Sequence, residues 1–288
     1  QAQSYVPCGV VAKQTIRSRG QRRKGEDIKE RKIEIDTENL KVFKIDLAHC
    51  KQLERLSIEV DGQGIEPLPW TEQDALWFAR QGDKWAVVDA APDPREKNPQ
   101  RYGGFKDAFS HRMVFVYATG GTQAENDWSY QKARFDAQCF YYRGNGAVDI
   151  IPDHAFKLDA FPDRSVILYG NATGNHAWKQ LLSDCPVQVQ RGALKVGDRS
   201  LSGDNWGIYM VRPRPDSLIA SVGVVAGTGL PGMRAVMPSR YFIAGTGFPD
   251  LMIISPAMYT EGVEGVKAAG YFGNDWSVEN GSITWAKD

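Results

Sequence analysis

The sequence lacks several features that would assign a protein to a class at once. No stretch approaches about 18 consecutive apolar residues, so it predicts no membrane-spanning helix. Basic and acidic side chains balance at 35 each, which argues against a dedicated nucleic-acid-binding protein. With 288 residues, 42% of them hydrophobic and 11% aromatic, the composition is that of a globular protein with one large domain or two ordinary ones.

Catalytic and metal-binding motifs are also scarce. No serine lies in a Gly-x-Ser-x-Gly elbow, HExxH is absent, and the acidic residues lack ligand spacing, so we predict no metal site. Residues 227–232 (GTGLPG) match the dinucleotide pattern Gly-x-Gly-x-x-Gly. However, Pro238 interrupts the helix that should follow, and Asp250 precedes its strand instead of following it. We therefore expect no cofactor.

Cysteine is rare and widely spaced. The four residues Cys8, Cys50, Cys139 and Cys185 form no CxxC pair, which excludes a metal knuckle. Two disulfides are possible, and three pairings satisfy the count. The aromatic surroundings of Cys139 favour a buried thiol there.

The N-terminal part contains a basic stretch. Residues 13–32 hold nine basic and three acidic side chains without interleaved aromatics, which favours a solvated loop or edge strand over a nucleic-acid or membrane arm. The chain begins Gln1-Ala2-Gln3-Ser4 with no visible signal peptide, so it is either cytoplasmic or a mature form whose leader has been removed. We define residues 1–30 as a basic N-terminal segment.

The next part of the chain has the pattern of β-strands. Apolar and polar residues alternate over 32–36, 43–47 and 56–60. The last of these runs leads into Asp61-Gly62, a hairpin turn signal, and a further hairpin is predicted around Gly82. Residues 31–91 are therefore predicted to form a small antiparallel β module. The three prolines within residues 92–102 predict a linker.

From residue 103 onward the pattern changes to short, continuous apolar runs. They lie at 113–118, 166–169, 219–226 and 251–254, with 208–211 as a possible fifth. Such runs are typical of strands covered on both faces, as in a parallel sheet. Helices are predicted at Gln123–Tyr141, with Thr122 as the N-cap, and at Asn175–Ser183. We predict that residues 103–288 form a three-layer, mostly parallel α/β domain of the flavodoxin or Rossmann type.

Ligands of open α/β sheets bind beyond the carboxyl ends of the strands. Small and polar residues follow the predicted strands at this position. The predicted ligand-binding residues are Asp107, Thr119, Asn171, Asn175 and Thr228. The alternative is that short loops of this kind simply need glycine and a capping side chain.

Three segments resemble a known family. Residues 103–109 (GGFKDAF) lead into the strand at 113–119, residues 164–171 read RSVILYGN, and residues 222–229 read VGVVAGTG. Together they resemble the C-terminal accessory region of exported bacterial prolyl-oligopeptidase-like α/β-hydrolases, most clearly over residues 103–230. Gly104 replaces the proline that is usual in that element. The nucleophilic serine of such proteins belongs to a separate upstream domain, so the resemblance transfers no catalytic residue.

The resemblance implies a secreted or periplasmic accessory domain that works beside a serine-hydrolase domain or polypeptide. Its ligand would be a glycan or glycan ester, in keeping with the abundant Trp, Tyr and Asn. The alternative is a stand-alone esterase or glycan-active hydrolase that uses His111 or His176 with Asp107 or Asp204. A purely structural interaction domain is the third hypothesis.

Overall fold

The computed structural model describes residues 9–13, 30–38, 40–47, 55–69, 75–89, 93–98 and 100–287. The chain divides into two compact units, Gln1–Asp93 and Pro94–Asp288. Much of the basic segment, including residues 14–29, lies outside the described residues, as does His49.

The first unit contains two small sheets. Its strands are β1 Gly9–Lys13, β2 Glu30–Glu38, β3 Val42–Asp46, β4 Arg55–Val60, β5 Gln63–Pro69, β6 Ala75–Gln81 and β7 Lys84–Val88. One sheet has the order β1-β2-β4-β5 and the other β3-β6-β7. Ile58 and Val60 of the first sheet join Phe43 and Phe78 of the second in one buried cluster, and the latter two rings stack at 4.9 Å.

Both predicted hairpins of this unit are confirmed. Asp61 and Gly62 turn β4 into β5 with φ of 51° and 78°, the left-handed conformation that a tight hairpin turn requires. Gly82 lies in the turn between β6 and β7. The prediction of a purely antiparallel module is wrong, because β2 pairs with β4 in parallel. Alternation shows which face of a strand is buried but not which way its neighbour runs.

The second unit is built on eight strands of one sheet and a smaller three-stranded one. The strands are β8 Met113–Tyr117, β9 Asp149–Pro152, β10 Ser165–Tyr169, β11 Val187–Gln190, β12 Ala193–Val196, β13 Arg199–Ser202, β14 Gly207–Pro213, β15 Ser221–Gly227, β16 Leu251–Ile254, β17 Val266–Tyr271 and β18 Ser282–Trp285. The α-helices are α1 Gln123–Gly144, α2 Ala177–Leu182, α3 Leu230–Ala235 and α4 Met258–Glu261. Among the residues described, no helix is both long and apolar enough to cross a membrane.

The large sheet is mixed, and the predicted flavodoxin- or Rossmann-like architecture is wrong. Its order is β18-β17-β16-β14-β15-β10-β8-β9. Neighbours from β9 to β15 pair in parallel, whereas every pair from β15 to β18 is antiparallel. In the described chain only α1 exceeds six residues, so the sheet is not flanked by a regular set of crossover helices.

The wrong prediction of a mostly parallel sheet has a physical cause. The apolar runs at 208–211 and 251–254 do form strands, β14 and β16, that are largely buried. A continuous apolar run indicates that both faces are covered, which holds equally in an antiparallel half of a large sheet. Strand direction depends on the connections, and β14 returns to β15 through seven loop residues without a helix.

Helix α1 confirms the first helix prediction and its cap. The Thr122 hydroxyl accepts from the backbone N–H of Glu125, and the Glu125 carboxylate accepts from the N–H of Thr122 at 2.8 Å, a complete capping box. On the buried side, the Lys132 ammonium donates to Asp136 at 2.7 Å, and Asp136 also accepts from the Tyr169 hydroxyl at 2.9 Å. The helix therefore packs on the sheet through a paired polar core as well as apolar contacts.

The residues predicted as a linker, 92–102, include side chains that pack within the second unit. The Arg101 guanidinium is buried and donates to the carbonyls of Ser217 and Ala220 at 2.7 and 3.0 Å. Lys97 forms an ion pair with the buried Asp250 at 2.5 Å. The boundary between the units falls between Asp93 and Pro94.

Two of the four cysteines are described, and both are free. Cys139 is half-buried and Cys185 is buried, while Cys8 and Cys50 lie outside the described residues. Burial raises the pKa of the Cys185 thiol, which keeps it protonated and unreactive at neutral pH.

Candidate functional site

The carboxyl ends of four parallel strands meet at one edge of the large sheet. In spatial order these strands are β9, β8, β10 and β15. The residues that follow them are Asp153 and His154 after β9, Thr119 after β8, Asn171 to His176 after β10, and Thr228 after β15. The edge therefore brings together most of the polar residues predicted from the sequence.

Asp153 connects three of the four loops. Its Oδ1 accepts from the Thr119 hydroxyl at 2.5 Å and from the backbone N–H of His154 at 2.9 Å. Its Oδ2 accepts from the backbone N–H of His176 at 2.6 Å and contacts Nδ1 of the same residue at 2.7 Å. The Asp153 side chain has no exposed surface. A buried carboxylate with four partners holds these loops in a fixed arrangement.

The His176 imidazole is held at one nitrogen and open at the other side. Because the carboxylate of Asp153 is an acceptor, Nδ1 carries the proton in this arrangement, and Nε2 of the neutral ring is left as an acceptor. The side chain is 65% exposed. The ring lies over Gly120, where an added Cβ would be 2.7 Å from Cε1 of His176. Only glycine at position 120 leaves room for this ring position.

Further side chains lie near Thr119 and at the end of β8. His154 is 66% exposed, with Nδ1 3.3 Å from the Thr119 hydroxyl. Tyr117, the last residue of β8, packs against Tyr130 of α1 with ring centroids 5.0 Å apart, and Tyr130 is 42% exposed. Burial raises the pKa of Tyr117, and the charges of Tyr130 and Asp153 raise it further. We refer to Tyr117, Thr119, Tyr130, Asp153, His154 and His176 as the edge site.

Three of the predicted ligand-binding residues form hydrogen bonds with backbone groups of the loops and strands instead. Asn171 is buried, donates to the carbonyl of Gly227 at 2.8 Å, and accepts from the N–H groups of Thr173 and Gly174. Asn175 is also buried and donates to the carbonyls of Val116 and Tyr169. Thr228 is fully buried, and its hydroxyl accepts from the N–H of Trp206 at 3.2 Å. These polar groups are already bound within the protein.

The three-stranded sheet β11-β12-β13 explains this burial. The N–H of Ala172 donates to the carbonyl of Val189 in β11, and the N–H of Gly192 donates to the carbonyl of Thr228. Arg191, in the turn that follows β11, forms an ion pair with Glu125 of α1 at 2.6 Å. This sheet thus covers the edge around β10 and β15, and the edge site lies at β8 and β9.

The other candidates lie elsewhere. Asp107 and His111 precede β8 and so lie toward its amino end, and His111 Nε2 contacts the carbonyl of Gln100 at 3.0 Å. Asp204 is exposed and precedes β14, on the far side of β15 from the edge site. None of the three is a hydrogen-bond partner of His176 in the described part of the chain. The carboxylate that supports His176 is Asp153.

Sequence reasoning missed Asp153 because the strand before it is short. β9 has four residues, with only Ile150 and Ile151 as an apolar pair, and the following Pro152-Asp153 reads as an ordinary turn. The one available signal was that a short apolar pair ends in an acidic residue directly beside a histidine.

The remaining chemistry is limited. No group of three or more His, Cys, Asp or Glu residues in the described chain could hold a metal ion, and no described Ser or Cys hydrogen-bonds to His176. The glycines of residues 227–232 serve packing: an added Cβ at Gly232 would lie 2.2 Å from the carbonyl oxygen of Trp206.

Compared with known proteins, the chain matches no family model and no curated protein.

Proposed function

We propose that the protein binds a hydroxyl-rich ligand, a glycan or glycan ester, at the edge site, as an accessory domain of a secreted or periplasmic serine hydrolase. The observation that carries this proposal is the exposed His176 imidazole, which the buried Asp153 carboxylate fixes through Nδ1 at 2.7 Å. An exposed ring held by a buried charge is preorganised to meet a ligand.

The groups of the edge site suit a sugar. Nε2 of His176 accepts a hydrogen bond from a ligand hydroxyl, while the half-exposed Tyr130 offers an aromatic face to the C–H groups of a pyranose ring. The second exposed imidazole, His154, adds a further polar contact within reach of Thr119. Polar groups that fix orientation beside an aromatic surface are the usual composition of a small-ligand site.

A second candidate function is hydrolysis by the same pair. His176 would take a proton from a water molecule through Nε2, and the oxygen of that water would attack the ester carbonyl. The ester C–O bond then breaks, and the imidazolium returns the proton to the leaving alkoxide. Asp153 would stabilise the imidazolium through Nδ1, which is the supporting role of a carboxylate in a catalytic triad.

The two candidates are separated by binding and turnover measurements on the full chain. Affinity electrophoresis in gels with neutral and acidic polysaccharides is expected to show retention that His176→Gln removes. His111→Gln, a histidine remote from the edge, is the matched control and should retain the ligand. Hydrolysis of chromogenic acyl or glycosyl substrates that His176→Gln abolishes would favour the second candidate. No retention of the unmutated chain on any polysaccharide would contradict the binding proposal.

A further inference from the structure

Exposed aromatic and arginine side chains follow α1 from the edge site to the C-terminal end of the helix. Tyr130, Arg134 and Tyr141 share one face of α1, and Tyr142 and Arg143 lie further round its last turn; we refer to these five residues as the α1 row. The guanidinium of Arg134 lies 5.5 Å from the ring centroid of Tyr130, and Tyr141 and Tyr142 are 66% and 89% exposed. Exposure of this many large aromatic rings on one helix is unusual for a surface without a ligand.

The row borders an open groove. The C-terminal half of α1, residues 146–148 and Ile150 of β9 line a shallow, open depression of about 700 Å³. Phe135 contributes a third exposed ring to its wall. Grooves of this size bind extended ligands or sizeable small molecules.

Two arginine side chains line the groove. Arg134 and Arg143 both line it, whereas no Asp or Glu does, and neither arginine forms an ion pair with any residue of the described chain. The chain as a whole has no net charge, so this is a local excess. Guanidinium groups in such a setting recognise carboxylate or sulfate groups by paired hydrogen bonds.

The row is continuous with the edge site, since Tyr130 belongs to both. Eleven helical residues separate Tyr130 from Tyr141, which corresponds to about 16 Å along the axis. A ligand that spans the row is therefore an oligomer rather than a single sugar. The outer edge of β9 does not favour a peptide, because this strand has only four residues, begins with a charged Asp149 and ends at Pro152. These features hinder the addition of a further strand.

We propose that the ligand is an acidic polysaccharide, with uronic-acid or sulfate groups, that runs from the edge site along the α1 row. Arg134 and Arg143 pair with its anionic groups, and the tyrosine rings pack against its sugar rings. This inference rests on the glycan binding proposed above and names the class of glycan.

The test compares polygalacturonate with a neutral glucan of similar length, by affinity electrophoresis and calorimetry on the full chain. We expect tighter binding of polygalacturonate, which Arg134→Gln/Arg143→Gln weakens by about tenfold, a clearly larger loss than for the neutral chain. Lys179→Gln/Lys195→Gln removes the same charge from exposed positions elsewhere and should change neither affinity. Tyr142→Ser should weaken both ligands, and unchanged melting temperatures would show that the variants fold.

The outcomes separate the two proposals. Equal affinity for both polysaccharides overturns the proposal that the ligand is an acidic polysaccharide, and so does an unchanged affinity in the double arginine variant. The proposal of glycan binding stands in either case if His176→Gln still removes binding. Poly-glutamate bound as tightly as polygalacturonate, with the same dependence on Arg134 and Arg143, overturns the inference in favour of an acidic peptide. Absence of binding to any polysaccharide overturns both proposals.

Discussion

The Nδ1 atom of His176 lies 2.7 Å from Oδ2 of Asp153, and the same oxygen accepts the backbone N–H of His176. One carboxylate thus fixes both the ring and the main chain of the residue that opens α2. The buried partner comes from the end of β9 and the exposed ring from the loop after β10, so sheet order, not sequence proximity, makes the pair.

Asp153→Asn should destabilise the fold and release the His176 ring. An amide accepts at only one atom, so the NH₂ group faces hydrogen-bond donors that the second carboxylate oxygen satisfies in the native protein. The expected loss is about 2–4 kcal/mol in urea unfolding. Asp149→Asn is the control, since Asp149 is 61% exposed in its ion pair with Arg164 and should lose about 1 kcal/mol or less. Equal losses in the two variants would refute the structural role of Asp153.

Gly120→Ala tests the position of the ring without altering its chemistry. The new methyl group would lie 2.7 Å from Cε1 of His176, a contact that forces the ring to move. We expect glycan retention to fall by about tenfold or more while the melting temperature stays close to that of the native chain. Gly247→Ala, where no atom lies within 4 Å of the added Cβ, should bind normally. Normal retention by Gly120→Ala would mean that the ring position is not important for binding.

Asn171→Ala should reduce stability but not ligand affinity. Asn171 joins the loop after β10 to the end of β15 through the Gly227 carbonyl, and its loss leaves buried backbone groups without partners. We expect a loss of about 2–3 kcal/mol in chemical denaturation, with unchanged retention by the folded protein. Asn205→Ala, at an exposed position, should lose less than about 0.5 kcal/mol. A specific loss of retention in a stable Asn171→Ala protein would return this residue to the ligand site.

The sequence was sufficient to predict three of the four strands whose carboxyl ends meet at this edge, but not β9. The continuous apolar runs gave β8, β10 and β15, and their glycine-rich ends do meet at one edge, with Thr119 and His176 among them. The capping box at Thr122 was predictable because it depends on residues three positions apart.

Tertiary contacts determine which of the polar residues at this edge remain accessible to a ligand. Asn171 and Thr228 have the sequence context of ligand-binding residues, yet the β11-β12-β13 sheet covers them. Nothing local in residues 187–202 indicates which part of the sheet edge they will cover. Asp153 was missed for the opposite reason, since its four-residue strand becomes recognisable only when it pairs with β8. Local patterns therefore predicted elements, and long-range pairing decided which polar groups stayed accessible.

The Glu125–Arg191 ion pair should make stability depend on pH in a defined direction. Hydrogen bonds from Arg191 lower the pKa of Glu125, and those with Thr122 add to this effect, so the folded protein binds a proton here less readily than the unfolded chain. The contribution is present above the ordinary pKa of 4.5 and is lost as the pH falls through the lowered value. Glu125→Gln keeps the capping box but not the charge, so its stability deficit should shrink on acidification.

The deficit is measured as the difference in free energy of unfolding between the native chain and Glu125→Gln from pH 7 to pH 3. Arg191→Gln provides the matched background, in which the pH dependence of that difference should largely vanish. A deficit that stays constant with pH would contradict the role of the ion pair. Because Arg191 is 42% exposed, added salt should also reduce the deficit.

Asp107 should make stability depend on pH in the direction opposite to that of Glu125. Its carboxyl group is buried, and neither oxygen has a hydrogen-bond partner in the described chain. Burial raises its pKa and the Asp250 carboxylate raises it further, while the nearby backbone N–H of Gly103 and the positive charges of His111 and Arg101 offset only part of the effect. The folded state therefore holds this proton more tightly than the unfolded state, whose pKa is near the ordinary 3.8. Between 3.8 and the raised value, stability falls as the pH rises.

Asp107→Asn removes this titration. Relative to the native chain, the variant should gain stability as the pH rises from 3.8 through the raised pKa of Asp107. Urea unfolding from pH 3.5 to pH 7.5 measures the difference, and Asp198→Asn, at an exposed turn position, should show no such trend. A native chain that gains stability over Asp107→Asn with rising pH would mean that an unrecognised donor stabilises the ionised form of Asp107.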